Sequence, residues 1–372
     1  MRDIGTDDPR VRVRPGKGSR PRTKIRPDYS DRPLGQVITI DRGRYTVLMN
    51  EGTRVIAVKA RELGRGAVVV GDKVRLTGDL SGRKDTLARI VFIEDRSSQL
   101  TRSTDEGNER ERTIVANADQ MAIVAALAQP EPRRGMIDRC LVAARDADMA
   151  PLLILTKADL ARPDALRAYY EPLGVPILAT ALGYDGAAPA AGDAAMHSGS
   201  DTVPAPGESA TQSDVDALPA PQNATTNSGL EAVRAALRGR TTVLVGHSGV
   251  GKSTLLNALV PAAARETGHV NEVTGKGRHT STSAIAFPLP GGGQLIDTPG
   301  VRSFGLAHLD AADILRGFPD LEETALECPR GCSHEATEPE CALDSLTDPR
   351  LRERVSSLRR VLASRGFEEW EK

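Results

Sequence analysis

Residues 246–254 combine residue types and a spacing that bind nucleotide phosphates. They read GHSGVGKST and fit the pattern G-x-x-x-x-G-K-[ST]. Glycines at these positions allow the backbone to wrap a polyphosphate, so that successive N–H groups point at it. Lys252 would reach the β- and γ-phosphates, and the Ser253 hydroxyl would ligate Mg²⁺. The phosphate-binding candidates are Gly246, Ser248, Gly249, Val250, Gly251, Lys252, Ser253 and Thr254.

The elements around this loop agree with a phosphate site. An apolar run at residues 242–245 predicts a buried strand that leads into the loop. Leu255, Leu256 and Leu259 recur at helical spacing and predict a helix over residues 253–259. The alternative is a glycine-rich turn that binds nothing, and such a turn would not need a strand before it and a helix after it.

A second polar group, residues 156–159 (TKAD), follows the apolar run at 151–155, which predicts a strand. The group resembles the guanine-recognition motif [NT]-K-x-D of GTPases. Asp159 would accept hydrogen bonds from the N1–H and the 2-amino group of guanine, a pair of donors that adenine lacks. The stem of Lys157 would pack over the base, and Thr156 stands where Asn is commoner. The base-binding candidates are Thr156, Lys157, Asp159, Thr180 and Ala181.

Two polar segments after the phosphate loop have the residues of a magnesium site that responds to the nucleotide. Residues 297–300 (DTPG) end a predicted strand, where Asp297 would hold Mg²⁺ through water and the Gly300 amide would sense the γ-phosphate. Residues 277–282 (GRHTST) are polar, and one of their threonines would complete the Mg²⁺ shell when the triphosphate is bound. The candidates are Ser253, Thr280 and Asp297 for Mg²⁺ and Thr282 and Gly300 for the nucleotide.

A third group, near the C-terminus, has the spacing of a zinc site. Cys328, Cys332, His334 and Cys341 fall within fourteen positions, and three thiolates with one imidazole suit tetrahedral Zn²⁺. Four protein ligands leave no open position, so we expect one structural zinc per chain. The alternative is a set of free surface thiols.

Composition limits the class of protein. The 372 residues should form two or three domains. Because 49 Lys and Arg balance 50 Asp and Glu, a surface for nucleic acid must be local. No apolar run approaches the roughly 18 residues that span a bilayer, and no secretory signal is visible. Four cysteines argue against a disulfide framework, so we expect a cytoplasmic protein that does not enter a membrane.

The chain before the nucleotide motifs divides into a basic tail and a small β domain. Residues 1–32 are rich in arginine and form either an RNA-binding tail or a solvated tail without a specific partner. Residues 33–104 contain five short alternating runs, which predict a barrel of the OB type that commonly binds oligonucleotides. A purely structural barrel is the alternative. The predicted strands are 35–40, 45–49, 53–60, 73–80 and 88–93.

Residues 105–306 predict an α/β domain, and residues 307–372 a helical zinc-binding domain. Strands and helices alternate along 121–180, which implies a parallel sheet covered on both faces. Residues 185–228 lack Lys, Arg and aromatic residues, and we predict a flexible insertion there. Cys140 falls on the apolar face of a predicted helix, where we expect an inert thiol. The predicted strands are 121–127, 151–155 and 175–180, and the predicted helices are 134–148, 161–170, 311–317 and 349–365.

The order of the motifs is unusual for a GTPase. The guanine motif at 156–159 precedes the phosphate loop at 246–254, whereas small GTPases have the reverse order, so the domain looks circularly permuted. Together with residues 116–120 (ANADQ) and the zinc ligands, this arrangement resembles the ribosome small-subunit-dependent GTPases. The resemblance covers about residues 33–365. Two features depart from the family's pattern. Thr156 stands in place of Asn, and the spacing of the zinc ligands differs by one residue on either side of the Cys332/His334 pair.

The resemblance implies a monomeric factor that binds the immature 30S subunit and its 16S rRNA and acts late in assembly. It also implies that the subunit stimulates hydrolysis of GTP to GDP, with Mg²⁺ bound. The catalytic candidates are His279, Lys252 and Thr280. His279 is included because Val301, directly after the DTPG motif, cannot orient the attacking water. Alternatively, His279 contacts rRNA or caps its loop, and the ribosome supplies the activating group.

Two rival functions differ from this one in class. The first is an RNA-binding module whose nucleotide site is only structural, which would show no turnover even with 30S subunits present. The second is an ATP-using kinase, which Asp159 opposes because a carboxylate at that position matches guanine.

Overall fold

The computed structural model describes residues 28–64, 66–102, 112–182, 228–261, 263, 284–298 and 306–364. The basic tail up to residue 27 and most of the predicted insertion lie outside these ranges. So do His279, Thr280, Thr282 and Gly300.

Five strands form the predicted barrel. They are β1 (Leu34–Asp41), β2 (Arg44–Met49), β3 (Arg54–Lys59), β4 (Lys73–Gly78) and β5 (Ala88–Ile93). They follow the order β1-β2-β3-β5-β4, and β4 closes on β1; only the β3–β5 pair is parallel. Val37, Val47, Val55, Leu76 and Ile90 point inward and are fully buried. The period-2 pattern of the sequence therefore gives the OB-type barrel that it predicts.

A short antiparallel ribbon connects the barrel to the next domain. It pairs β6 (Gln99–Arg102) with β7 (Arg112–Ala116). Beside it, the Asn117 amide donates to the Gly71 carbonyl at 3.0 Å and its oxygen accepts from the Ser97 N–H at 2.9 Å. A Cβ atom on Gly71 would lie 1.9 Å from the Ala116 carbonyl oxygen, so only glycine fits at this junction.

The central sheet has the predicted parallel core. Its strands are β8 (Gln120–Ala126), β9 (Ala150–Thr156), β10 (Ile177–Ala179), β11 (Thr241–Val245), β12 (Ile285–Pro288) and β13 (Gln294–Asp297). They run in the order β10-β9-β8-β11-β13-β12, in which only β12 is antiparallel to its neighbour. All seven residues of β8 are buried, as expected for a strand covered on both faces.

Helices cover both faces of this sheet. They are α1 (Arg134–Asp146), α2 (Asp164–Tyr170), α3 (Ser228–Leu237) and α4 (Lys252–Leu259). The side chains of α1 and α2 share one apolar core, and those of α3 and α4 share a second core on the opposite face. Helix α2 begins three residues later than predicted, because Pro163 disfavours a helical backbone at Arg162.

The C-terminal region packs on α1. It contains α5 (Ala311–Leu315), α6 (Glu322–Ala325) and α7 (Pro349–Ser364). Arg354 of α7 is fully buried, and its Nη1 atom lies 3.2 Å from the buried carboxylate of Asp138 on α1. Its Nε atom donates to Asp320 at 3.1 Å, and its guanidinium lies over the rings of Phe318 and Tyr169. Helix α7 is thus fixed to the α/β domain by a buried ion pair.

The barrel continues the central sheet. Thr39 of β1 pairs with Ile285 of β12, which joins eleven strands into one sheet. Nearby, the Gln294 amide donates to Gln36 at 2.7 Å. Among the helices of the described ranges, none combines the length and apolarity that crossing a bilayer requires.

Candidate nucleotide and zinc sites

The phosphate loop leaves β11 at the carboxyl edge of the sheet, where only glycine fits. A Cβ atom on Gly246 would lie 2.3 Å from the Val124 carbonyl oxygen of the neighbouring strand. Gly249 and Gly251 have φ angles of 80° and 93°, and Gly251 is the N-cap of α4. The loop therefore has the tight, positive-φ course that lets backbone N–H groups face an anion. Ser248, Ser253 and Thr254 are exposed beside it, and Val250 is buried beneath it.

Lys252 is the first residue of α4, and Asp297 is the last residue of β13, the strand that pairs with β11. The Lys252 ammonium donates to the carbonyl oxygens of Gly246 at 2.5 Å and His247 at 2.9 Å. Burial lowers the pKa of Lys252, and the Asp297 charge opposes that shift. Burial raises the pKa of Asp297, and the Lys252 charge opposes that one. Burial thus disfavours the charged form of both side chains. A phosphate bound at Lys252 and a cation bound at Asp297 would stabilise these charged forms.

Thr156 joins the guanine motif to the phosphate loop. It is 3% exposed, and its hydroxyl donates to the Val250 carbonyl at 2.5 Å. The Ala125 carbonyl lies 3.4 Å from the same hydroxyl. Although Thr replaces the commoner Asn, its side chain therefore contacts the phosphate loop directly.

The other base-binding candidates lie at the same edge. Lys157 has a left-handed backbone with a φ angle of 56°, and its ammonium donates to the Gln129 carbonyl. Asp159 is exposed two residues later. The Ala158 N–H donates to the Thr180 carbonyl at 3.3 Å, which brings the 156–159 and 180–181 segments together. The Thr180 hydroxyl is buried and has no hydrogen-bond partner among the described residues.

The four predicted zinc ligands converge. The ligand atoms of Cys328, Cys332, His334 and Cys341 all lie within 4.8 Å of one another. The His334 Nδ1 atom is 3.6, 3.4 and 3.8 Å from the sulfurs of Cys328, Cys332 and Cys341. In tetrahedral zinc, bonds of about 2.3 Å to sulfur and 2.0 Å to nitrogen place such atoms about 3.6 Å apart. The convergence of these four ligand atoms therefore suits tetrahedral Zn²⁺.

Comparison with known proteins identifies the family. The model of the RsgA GTPase family matches residues 93–187 and 206–307. The small ribosomal subunit biogenesis GTPase RsgA of Pseudomonas fluorescens is 36% identical over 307 residues, which cover 80% of this chain and 75% of that protein. The protein of the same name from Ectopseudomonas mendocina is 37% identical with the same coverage. The chain belongs to the RsgA GTPase family.

Two solved structures share the fold of this RsgA GTPase family member. YjeQ from Thermotoga maritima superposes with a TM-score of 0.59 at 22% identity, over 91% of this chain and 99% of that one. YloQ, described as a circularly permuted GTPase, gives a TM-score of 0.55 at 21% identity, over 89% and 96%. The predicted permutation is confirmed, since β9 and the guanine motif precede β11 and the phosphate loop.

The candidate site of this RsgA family member also includes a loop that no sequence motif marks. The loop at residues 127–133 crosses the edge between the two nucleotide motifs. Its Gln129 carbonyl accepts from Lys157, and Pro130 lies 3.8 Å from where a Cβ atom on Gly249 would be. Its position at the end of β8, next to β11, was the available signal, because carboxyl ends of adjacent parallel strands share a ligand-binding edge.

The thiols and imidazole of this family member differ in environment. Burial lowers the pKa of His334 and so favours the neutral imidazole, which is the form that binds a metal. Burial raises the pKa of Cys332 to about 11, and a cation in the cluster would reverse that shift.

Cys140 is fully buried in α1, and burial raises its pKa to about 12. The predicted core position of Cys140 is confirmed, and the inertness of its thiol stays a prediction.

Proposed function

We propose that this protein is a GTPase that acts in the biogenesis of the 30S ribosomal subunit and hydrolyses GTP when that subunit stimulates it. The observation that carries the proposal is the bond between Thr156 and Val250, which joins a guanine motif to a phosphate loop in permuted order. Membership of the RsgA family and relatives named for small-subunit biogenesis support it.

In this proposal the nucleotide lies along the edge formed by the phosphate loop and the 156–159 and 180–181 segments. Lys252 leaves its two carbonyl partners to contact the β- and γ-phosphates, while the loop N–H groups hold the same oxygens. Asp159 accepts from guanine, and Lys157 packs over the base while the Gln129 carbonyl fixes its ammonium. Thr180 and Ala181 complete the base pocket.

Ser253, Asp297 and Thr280 would hold Mg²⁺, which when bound neutralises charge on the phosphates. The described donors fit that ion, because the exposed hydroxyl of Ser253 lies at the start of α4 and the half-buried carboxylate of Asp297 lies at the end of β13. Gly300 would sense the γ-phosphate and Thr282 would contact the nucleotide. We propose that His279 orients the attacking water, because Val301 has no hydrogen-bonding group.

The other parts of the chain would bind zinc and contact the ribosomal subunit. Cys328, Cys332, His334 and Cys341 would hold one structural Zn²⁺ and so keep the C-terminal region folded. The barrel and the basic tail would contact 16S rRNA through Arg and Lys, since exposed aromatic residues of the described barrel are few. We propose a cytoplasmic monomer with the barrel at 33–104, the α/β GTPase domain at 105–306 and the zinc-binding domain at 307–372.

The test is GTP turnover by the full chain with and without purified 30S subunits. We expect slow turnover alone and at least a tenfold increase with subunits, and no comparable increase with 50S subunits. An RNA-binding module with a non-catalytic site would instead bind 30S subunits and show no stimulated turnover. That result would refute the enzymatic proposal and leave the binding function.

A further inference from the structure

Helix α7 contacts the zinc cluster as well as the α/β domain. On the side away from Arg354, the Nε atom of Arg359 donates to the His334 carbonyl at 3.2 Å. Its two terminal nitrogens donate to Asp344 at 2.8 and 3.0 Å. Asp344 belongs to the short 3-10 turn at Ala342–Ser345, which starts directly after the ligand Cys341. One guanidinium therefore holds the backbone of one zinc ligand and the turn that follows another.

The positively charged guanidinium of Arg359 also lies beside a cluster that would carry negative charge. Three thiolates and a neutral imidazole around Zn²⁺ carry a net charge of −1. Arg359 is largely buried, with 20% of its side chain exposed, so solvent screens it only partly. Its hydrogen bond to the His334 carbonyl places this positive charge directly beside the cluster.

We propose that Arg359 positions His334 and the turn after Cys341 and offsets the negative charge of the zinc cluster, so that zinc retention depends on α7. The inference rests on the zinc site assigned above. Because α7 also buries Arg354 against Asp138 of α1, loss of zinc would loosen the attachment of the C-terminal region to the α/β domain. Partners that support metal ligands in this way typically contribute ten- to a hundredfold in metal affinity.

The experiment measures zinc release from the purified full chain to a chromogenic chelator. We expect R359M to release zinc about tenfold faster than the wild type. R359K keeps the charge but loses the paired contact to Asp344, so its rate should lie between them. The matched control is R352M, which removes an exposed arginine from the same helix and should release zinc at the wild-type rate.

Hydrogen exchange supplies a second measurement that does not depend on activity. In R359M, exchange should rise in α7 and in residues 342–345, as it should in the chelated wild type. If R359M fails to fold, D344N removes the partner carboxylate and leaves the cation in place, and a two- to fivefold faster release is expected. Wild-type release rates in R359M, or in D344N when that variant is the one tested, would overturn the inference. A wild-type chain without zinc would overturn the zinc assignment itself, whereas the GTPase proposal is tested separately by turnover.

Discussion

The hydroxyl of Thr156 lies 2.5 Å from the Val250 carbonyl and joins the guanine motif to the phosphate loop. Both residues are buried, so neither group can exchange this partner for water without local opening. The two halves of the candidate nucleotide site are therefore joined by a hydrogen bond inside the protein.

Replacing Thr156 with Val tests this bond. T156V keeps the shape of the side chain but leaves the Val250 carbonyl without its hydroxyl donor. We expect the affinities for GTP and GDP to fall by about tenfold each, since one buried hydrogen bond contributes roughly 1 to 1.5 kcal/mol. Titration with a fluorescent guanine nucleotide measures the effect, and T156S should retain near-wild-type affinity. Equal affinities for T156V and the wild type would show that the bond does not organise the site.

Asp159 should determine base choice. D159N replaces an acceptor with an amide that can donate to the 2-oxo group of xanthine. We expect GTP affinity to fall by more than about a hundredfold, because two hydrogen bonds to a charged group are lost, and xanthosine triphosphate to bind better than GTP. Competition binding with both nucleotides checks this. The control is D164N, an exposed carboxylate at the start of α2, which should leave the preference unchanged.

Breaking the buried ion pair between Arg354 and Asp138 should lower the unfolding free energy by an amount that depends on pH. R354M leaves the Asp138 carboxylate without its cation, and such a loss typically destabilises a protein by about 3 kcal/mol. Burial already raises the pKa of Asp138, and the Arg354 charge opposes that rise. Without Arg354 the pKa rises further, so the carboxylate becomes protonated at a higher pH.

The sign of the dependence follows from that shift. A carboxyl group with a raised pKa in the folded state favours folding at low pH, and this contribution is lost as the pH rises through its folded pKa. The difference in unfolding free energy between the wild type and R354M should therefore be larger at about pH 8 than at about pH 5. Urea denaturation at both values measures it, with R352M as the control. A difference that grows towards acid would contradict the assignment.

His279 is the sequence-based candidate for orienting water. We expect H279A to lose at least about a hundredfold in 30S-stimulated turnover, in line with the contribution of a general base, while GTP and 30S binding stay within a few-fold of wild type. Single-turnover hydrolysis with subunits, together with separate binding assays, checks this. Wild-type turnover in H279A would leave the ribosome as the source of the activating group.

Much of the fold follows from local patterns. The five barrel strands and strands β8 to β11 begin and end within two residues of their predicted limits, because alternation and buried apolar runs are local signals. The β6–β7 ribbon was missed because its strands are short and charged, and a charged segment at 103–111 separates them. Pairing across such a gap depends on tertiary contacts, which local propensity does not encode.

The contacts of Arg354 are another feature that local sequence patterns predict only in part. Arg354 is one of several arginines in the last helix, and composition alone does not distinguish it from the others. It precedes Leu358 by four residues and Val361 by seven, so helical spacing puts it on the apolar face. That spacing was a usable signal for burial. Its partner Asp138 lies more than two hundred residues away, and no local pattern connects the two.

The pairing of Thr39 with Ile285 has a consequence for dissecting the protein. Strand β12 is the last strand of the nucleotide-binding sheet, and β1 of the barrel covers its open side. If the barrel were removed, the backbone N–H and C=O groups on that side would be free to hydrogen-bond with another chain. A fragment that begins after residue 104 should therefore self-associate by edge-to-edge strand addition. In the intact chain, pairing with β1 of the barrel occupies part of that edge, and this pairing does not require RNA.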